Sequence, residues 1–276
     1  ISSTIVIIFM PRQRTHPTAL ILLILTLLAL ASCSEDPTSE EHLNKAKGFM
    51  SEADFPSATI ELQNALQLDE NLAEARWLLG KIQLDDGDIL AAENSLQRAR
   101  DLGWRDDDVL PALARTLLAQ GEVEDVLALE YKELNPSSMA KLYAMQAKAA
   151  LINGQPKKAR ALVDRALDKD PQSVDVKVAE VSVVASEGDL EAGLRLAEDI
   201  ILTSPNSGEA WWLKGQILLE TGELEASAAA FDQSVALKSI AFTDRITRAL
   251  INLQLRNYDA AQVDATELLT LSPMSP

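Results

Sequence analysis

Few residues in this chain of 276 amino acids can do chemistry, and their spacing removes most of what they could do. A single cysteine, Cys33, excludes an internal disulfide and a thiolate-based metal site. Of the two histidines, His16 lies in an N-terminal stretch read below as removable, and His42 has the plainer reading of a solvated helix residue. Two carboxylate clusters, Asp85-Asp86-Gly87-Asp88 and Asp168-Lys169-Asp170, invite a calcium site. A helix–loop–helix calcium loop needs oxygen donors at alternate early positions, a glycine at the sixth and a glutamate at the twelfth. Counted from Asp168, the fifth, sixth and twelfth residues are Gln172, Ser173 and Ala179, so the loop fails. Asp85 to Asp88 fits better as an inter-helix turn whose acids favour the dipole of the next helix, and Asp106-Asp107-Asp108 as a solvated cap preceding a helix. No nucleophile–base pair, phosphate loop or metal cluster is recognisable, so the sequence predicts no enzymatic activity, no metal and no cofactor within this chain.

The lone cysteine is placed by what precedes it. Arg12 and Arg14 lead into a run from Ala19 to Ala31 in which only Thr26 is polar, the order of a secretory signal. The run is shorter than the roughly 20 apolar residues of a membrane span. It ends in Leu30-Ala31-Ser32-Cys33, which resembles the lipobox of bacterial lipoproteins. That resemblance implies cleavage before Cys33, acylation of its sulfur and a stable lipid anchor. Ser34 is not the aspartate that usually retains such lipoproteins at the inner membrane, so the periplasmic face of the outer membrane is the expected location. Ile1 is no natural start and Met10 opens a complete signal. Residues 1–9 therefore read as a non-native upstream segment, 10–32 as the signal peptide, and 33–38 as a linker.

The remainder is organised by glycine. Gly87, Gly121, Gly154, Gly188 and Gly222 are separated by 34, 33, 34 and 34 residues. A period of that size in an Ala- and Leu-rich chain predicts stacked helix pairs, each too small to bury its apolar face alone. Small residues recur where the two helices of a pair must approach: Ala46, Gly80, Ala114, Ala147, Val181, Gly215 and Ala249. Twelve residues on stand Ala58, Ala92, Val126, Ala159, Gly193, Ser227 and Ala261. With Trp211, Phe231 and the closing prolines Pro171, Pro205 and Pro273, this pattern resembles the tetratricopeptide (TPR) repeat. The expected fold is an all-α TPR solenoid of about seven helix-turn-helix repeats over residues 39–276. They start near Ser39, Ala73, Asp107, Ala140, Val174, Gly208 and Phe242. The third unit is the weakest, with Val126 and Glu133 at small-residue positions, and the first and last carry Ala53 and Arg256 in place of the turn glycine. An apolar fraction of 47% with only 4% aromatic residues fits such a core, and a net charge of -17 argues against a nucleic-acid partner.

Several stretches resemble more narrowly the TPR-repeat lipoprotein of PEP-CTERM/exosortase systems. They are the lipobox, Glu41-His42-Leu43-Asn44-Lys45-Ala46-Lys47, Ile60-Glu61-Leu62-Gln63-Asn64-Ala65-Leu66, Glu74-Ala75-Arg76-Trp77-Leu78-Leu79-Gly80 and Tyr258-Asp259-Ala260-Ala261-Gln262-Val263-Asp264-Ala265. The resemblance implies a non-enzymatic, membrane-anchored scaffold for protein–protein interaction in PEP-CTERM sorting and exopolysaccharide export. Two other readings stay open: a generic outer-membrane or pilus-assembly TPR lipoprotein, and the targeting arm of an enzyme whose catalytic domain lies past Pro276. Members of the family usually carry longer arrays, and Pro276 falls where a further repeat would begin. The chain is therefore read as the N-terminal part of a longer protein.

In TPR proteins the second, fifth, ninth and twelfth residues of each first helix face a concave groove. Here the ninth position reads Lys47, Lys81, Arg115 and Lys148, then Ser182, Gln216 and Leu250, while the fifth supplies Trp77 and Trp212. Four successive cations in an acidic chain would attract an anionic ligand, an acidic peptide or an anionic exopolysaccharide, with the indoles as flat contact surfaces. The competing reading is that the cations neutralise acids at position two of neighbouring units, such as Glu40, Glu74 and Asp108.

Overall fold

The computed structural model describes residues 37–237 and 241–271, and the account below concerns these. The upstream segment, the signal peptide and Cys33 lie outside them, as does Pro273. Among the described residues there are fourteen α-helices and no strand. They are α1 (Ser39–Ser51), α2 (Phe55–Leu68), α3 (Ala73–Asp85), α4 (Ile89–Asp101), α5 (Asp106–Gln120), α6 (Val123–Ala128) and α7 (Pro136–Ile152). There follow α8 (Pro156–Lys169), α9 (Val174–Ser186), α10 (Leu190–Thr203), α11 (Gly208–Glu220), α12 (Leu224–Leu237), α13 (Phe242–Gln254) and α14 (Tyr258–Leu271).

The glycine period becomes a backbone period. Gly87, Gly121, Gly154, Gly188 and Gly222 all hold positive φ, between 67° and 90°, and so end one helix and reverse the chain. Asp54, Asp88 and Asp189 then cap the following helices by accepting from the backbone N–H three residues on. Ala53 and Arg256 adopt the same left-handed conformation without being glycine.

Within a pair the small residues do what their spacing requires. Ala46 and Ala58 are fully buried, and so are Ala92, Ala114, Ala147 and Ala159. A Cβ built on Gly80 would lie 2.8 Å from Leu96 Cγ, and one on Gly215 would lie 2.9 Å from Phe231. Across the Gly215 pair, Ser227 Oγ donates to the Gly215 carbonyl at 2.7 Å, a bond that only a close approach permits. First helices also pack on first helices two elements on, α3 on α5, α5 on α7, α7 on α9 and α9 on α11, which forms one continuous inner layer.

The third unit departs from the pattern. Its second helix, α6, stops at Ala128, and α7 opens at Pro136 rather than near Ala140. The position filled in other units by buried Ala65, Ala99 or Ala166 is here Glu133, which remains exposed. A helix carried through 133 would press that carboxylate into the core without a partner. The chain leaves the helix instead, and Asn135 caps a new one by accepting from the Ser138 N–H at 2.9 Å. The intervening loop is pinned by Tyr131, whose hydroxyl lies 2.7 Å from that of Tyr143, and by Arg100 donating to the Glu130 carbonyl at 2.9 Å. The α7 helix buries residues along most of its length and joins one apolar cluster running from Leu96 to Val183.

Candidate functional site

The inner layer contains a cavity of about 340 Å³ that spans four helices. Helix α3 supplies Trp77, Lys81 and Asp85, and α5 supplies Asp107, Asp108 and Arg115. Helix α7 contributes Ser138, Lys141 and Met145, and α9 contributes Asp175. Pro111 of α5 shapes the wall. It has no N–H to give the Asp107 carbonyl one turn back, and Ser138 Oγ of α7 donates there at 2.8 Å. A proline that weakens one helix thereby ties two together.

The cations at the ninth position divide. Lys81 and Arg115 line the cavity, whereas Lys47 and Lys148 are engaged elsewhere. Lys47 Nζ lies 2.8 Å from Glu74 Oε1, the neighbour-neutralising pair the sequence offered as the competing reading. Lys148, only 12% exposed, reaches past α9 to Glu209 of α11 at 2.5 Å. Arg115 Nη1 stands 3.6 Å from Asp85 Oδ1 with both groups well exposed, a loose pair worth at most about 1 kcal/mol. Lys81 has no carboxylate partner among the described residues; its Nζ sits 4.9 Å from the centroid of the Trp77 ring.

Lys141 was missed in the sequence, although the signal was present. At the second position Glu40, Glu74, Asp108, Asp175 and Glu209 are all acids, and only the fourth unit reverses the charge. Among the described residues Lys141 makes no ion pair. Two acids of the cavity are engaged internally: Asp107 Oδ1 accepts from the Asn135 N–H at 2.7 Å, and Asp108 pairs with Arg105 at 2.6 Å. The Asp106–Asp108 run is therefore not the solvated cap expected; it forms the first turn of α5 and is tied to neighbouring chain. Among the described residues Lys81 and Lys141 make no ion pair, and neither does Asp175, the carboxylate that shares their cavity.

The indoles are not equivalent. One face of Trp77 is stacked on Trp104, with centroids 5.6 Å apart and planes inclined by 27°, and Lys81 lies over the ring as well. Trp77 also packs on two apolar clusters, so it is not the open contact surface expected. Trp212 lies in a second cavity between α9 and α11, away from the first. His42 is not solvated: its Nδ1 lies 2.5 Å from Glu61 Oε2, and both side chains are largely buried. Among the described residues no group of three His, Cys, Asp or Glu side chains is placed to hold a metal ion.

Charge also marks the seams between units. Lys214 pairs with Glu198 at 2.7 Å, and one repeat on Arg248 pairs with Asp232 at 2.7 Å. In the preceding unit the same register sets Glu180 against Asp164, and burial, helped by Asp164 and opposed by Arg160, raises the Glu180 pKa above the usual carboxylate value. Arg248 also forks onto fully buried Asp264, its Nε donating to Oδ2 at 2.9 Å and its Nη2 to Oδ1.

Residues 178–239 match the tetratricopeptide repeat family model. Among curated proteins, none matches the chain significantly by sequence. A tetratricopeptide repeat protein from Parabacteroides merdae superposes with a TM-score of 0.56 at 16% identity, over 84% of this chain and 92% of its own. The hetero-tetramer Cut9–Hcn1 contains a chain that superposes with a TM-score of 0.57 at 12% identity, over 93% of this chain and 53% of its own. The helix pairs, the turn period and these superpositions agree: the described residues form a TPR solenoid.

Proposed function

We propose that this chain is a non-enzymatic scaffold, held at the periplasmic face of an outer membrane by acylated Cys33, that grips an acidic segment of a protein partner in the α3–α9 cavity. Its setting is PEP-CTERM protein sorting with exopolysaccharide export, a reading that rests on the resemblance of the lipobox and repeat segments. The observation that carries the grip is the pair Lys81 and Lys141, which face one cavity from α3 and α7 without ion-pair partners among the described residues. Such unpaired cations, with Arg115 loosely held beside them, favour carboxylates through charge-assisted hydrogen bonds. A polysaccharide is the weaker candidate for this cavity, because sugar rings stack on open aromatic faces and Trp77 is already covered by Trp104 and Lys81.

The test is a fluorescence titration of the full chain with a labelled peptide containing four consecutive aspartates, beside an oligouronate of similar charge. The variant Lys81→Glu/Lys141→Glu should weaken peptide binding at least about tenfold, since each charge-assisted contact contributes about 1.5–3 kcal/mol. Unchanged binding refutes the grip, and tighter binding of the oligouronate replaces the peptide with a polysaccharide. Cys33→Ser should move the protein from the membrane to the soluble fraction of its host, and retention at the membrane refutes the anchor.

A further inference from the structure

The second cavity, between α9 and α11, differs in chemistry from the first. Its volume is about 460 Å³, and its wall contains Ala185, Trp212, Leu213, Ile217 and Leu219. One ionisable residue lines it, Glu220, which is exposed and has no ion-pair partner among the described residues. Glu220 is the last residue of α11, where the aligned peptide dipoles make the helix end negative and disfavour a carboxylate. Its charge is thus not there for the helix. Together the carboxylate and the helix end form a negative spot at the border of an apolar wall.

The apolar character continues in the repeat register. Thirty-four residues after Trp212, Gln216 and Leu219 stand Ile246, Leu250 and Leu253 of α13. They are 38%, 57% and 49% exposed, a stripe along one face of that helix. Exposed apolar side chains arranged in such a stripe mark an interaction surface more often than chance exposure does.

We infer that the α9–α11 cavity and the exposed stripe of α13 together form a docking surface for an apolar peptide segment bordered by a lysine or arginine, the apolar side chains lying on Trp212, Leu219 and Leu250 and the cation meeting Glu220. This rests on the scaffold reading above and adds a second, opposite specificity to it. The α3–α9 cavity selects carboxylates, and this second surface selects apolar residues beside a cation. An anionic membrane surface fits poorly, because Glu220 would face lipid phosphates.

The experiment titrates the full chain with two labelled peptides, each carrying six leucine and valine residues, one bordered by two lysines and the other by two glutamates. The lysine-bordered peptide should bind about tenfold tighter. Glu220→Lys should abolish that preference, and Leu250→Asn should weaken both peptides. Both substituted positions are solvent-exposed, and an unchanged helical circular dichroism signal confirms that the fold is kept. Equal affinity for the two peptides, or an unchanged preference in Glu220→Lys, overturns the inference. A concentration-dependent dimer in sedimentation that disappears in Leu250→Asn also overturns it, assigning the face to a second copy of this chain. If the lysine-bordered peptide fails while the aspartate peptide still binds, this inference alone falls; if both fail, the scaffold reading falls with it.

Discussion

Ala53 offers a direct measure of what the turn glycines contribute. Five units reverse the chain through a glycine at φ between 67° and 90°, while Ala53 holds φ 58° and Arg256 holds φ 61° at the same register. The left-handed conformation costs an L-residue roughly 1–2 kcal/mol. Replacing Ala53 by glycine relieves that strain but gives the unfolded chain about 0.4–1 kcal/mol more conformational entropy to lose. The difference predicts a net gain of about 0.5–1 kcal/mol for Ala53→Gly. Arg256→Gly should gain a similar amount, since the Arg256 side chain is exposed and makes no ion pair among the described residues. Repeat arrays need not unfold in one step, so the readout should be local. Amide hydrogen exchange in α1 and α2 should slow roughly two- to fivefold in Ala53→Gly, and exchange in α13 and α14 should slow likewise in Arg256→Gly. Gly121→Ala, made at φ 80° with open space around the new Cβ, should move exchange in α5 the other way. Faster or unchanged exchange in both glycine variants would refute the account of the turns as sites of backbone strain.

Other substitutions separate packing from backbone effects. Gly48→Ala meets nothing within 4 Å and should stabilise α1 by about 0.5–1 kcal/mol. Gly80→Ala, which would meet Leu96 side-chain and backbone atoms within 3.2 Å, should destabilise by about 1–2 kcal/mol despite the better helix propensity, as denaturant titration will show. Asp264→Ala removes the buried fork but leaves Arg248 its pair with Asp232, so it should cost about 1.5–3 kcal/mol, lowering the denaturation midpoint of α13 and α14. Glu180 has its pKa raised in the folded state, so its contribution is present below the unfolded carboxylate value and is lost as pH rises through the folded one. Glu180→Gln should accordingly raise the melting temperature at pH 7 and leave it unchanged near pH 4.

How much of this was legible before folding differs from residue to residue. Helix pairing follows from glycine spacing and small-residue positions, because a left-handed turn and a close helix approach each admit few side chains. The shortened α6 was half visible: Glu133 at a position that must be buried is a conflict within the sequence, but whether the chain bends the helix or leaves it depends on Asn135 and Tyr131 finding partners. Lys141 could have been read from its charge reversal at the second position. Other features depend on curvature, which one sequence period does not specify. Lys148 skips a unit to reach Glu209, Trp104 covers Trp77, and Ser138 fills the bond that Pro111 leaves open.

The reach of Lys148 to Glu209 has a mechanical consequence. A stack of equal repeats behaves as a spring whose coils share any extension. Here one tie fastens α7 to α11 across α9, so that stretch must resist extension more than its neighbours do. A pulling force would first lengthen the coils outside the tie, and the two cavities flanking α9 would keep their separation while the rest of the array gave way. Because Lys148 is mostly shielded from solvent, salt would soften this section less than it softens the exposed Arg115–Asp85 pair. The tie would thus set the distance at which two ligand segments, one acidic and one apolar, are held along the groove.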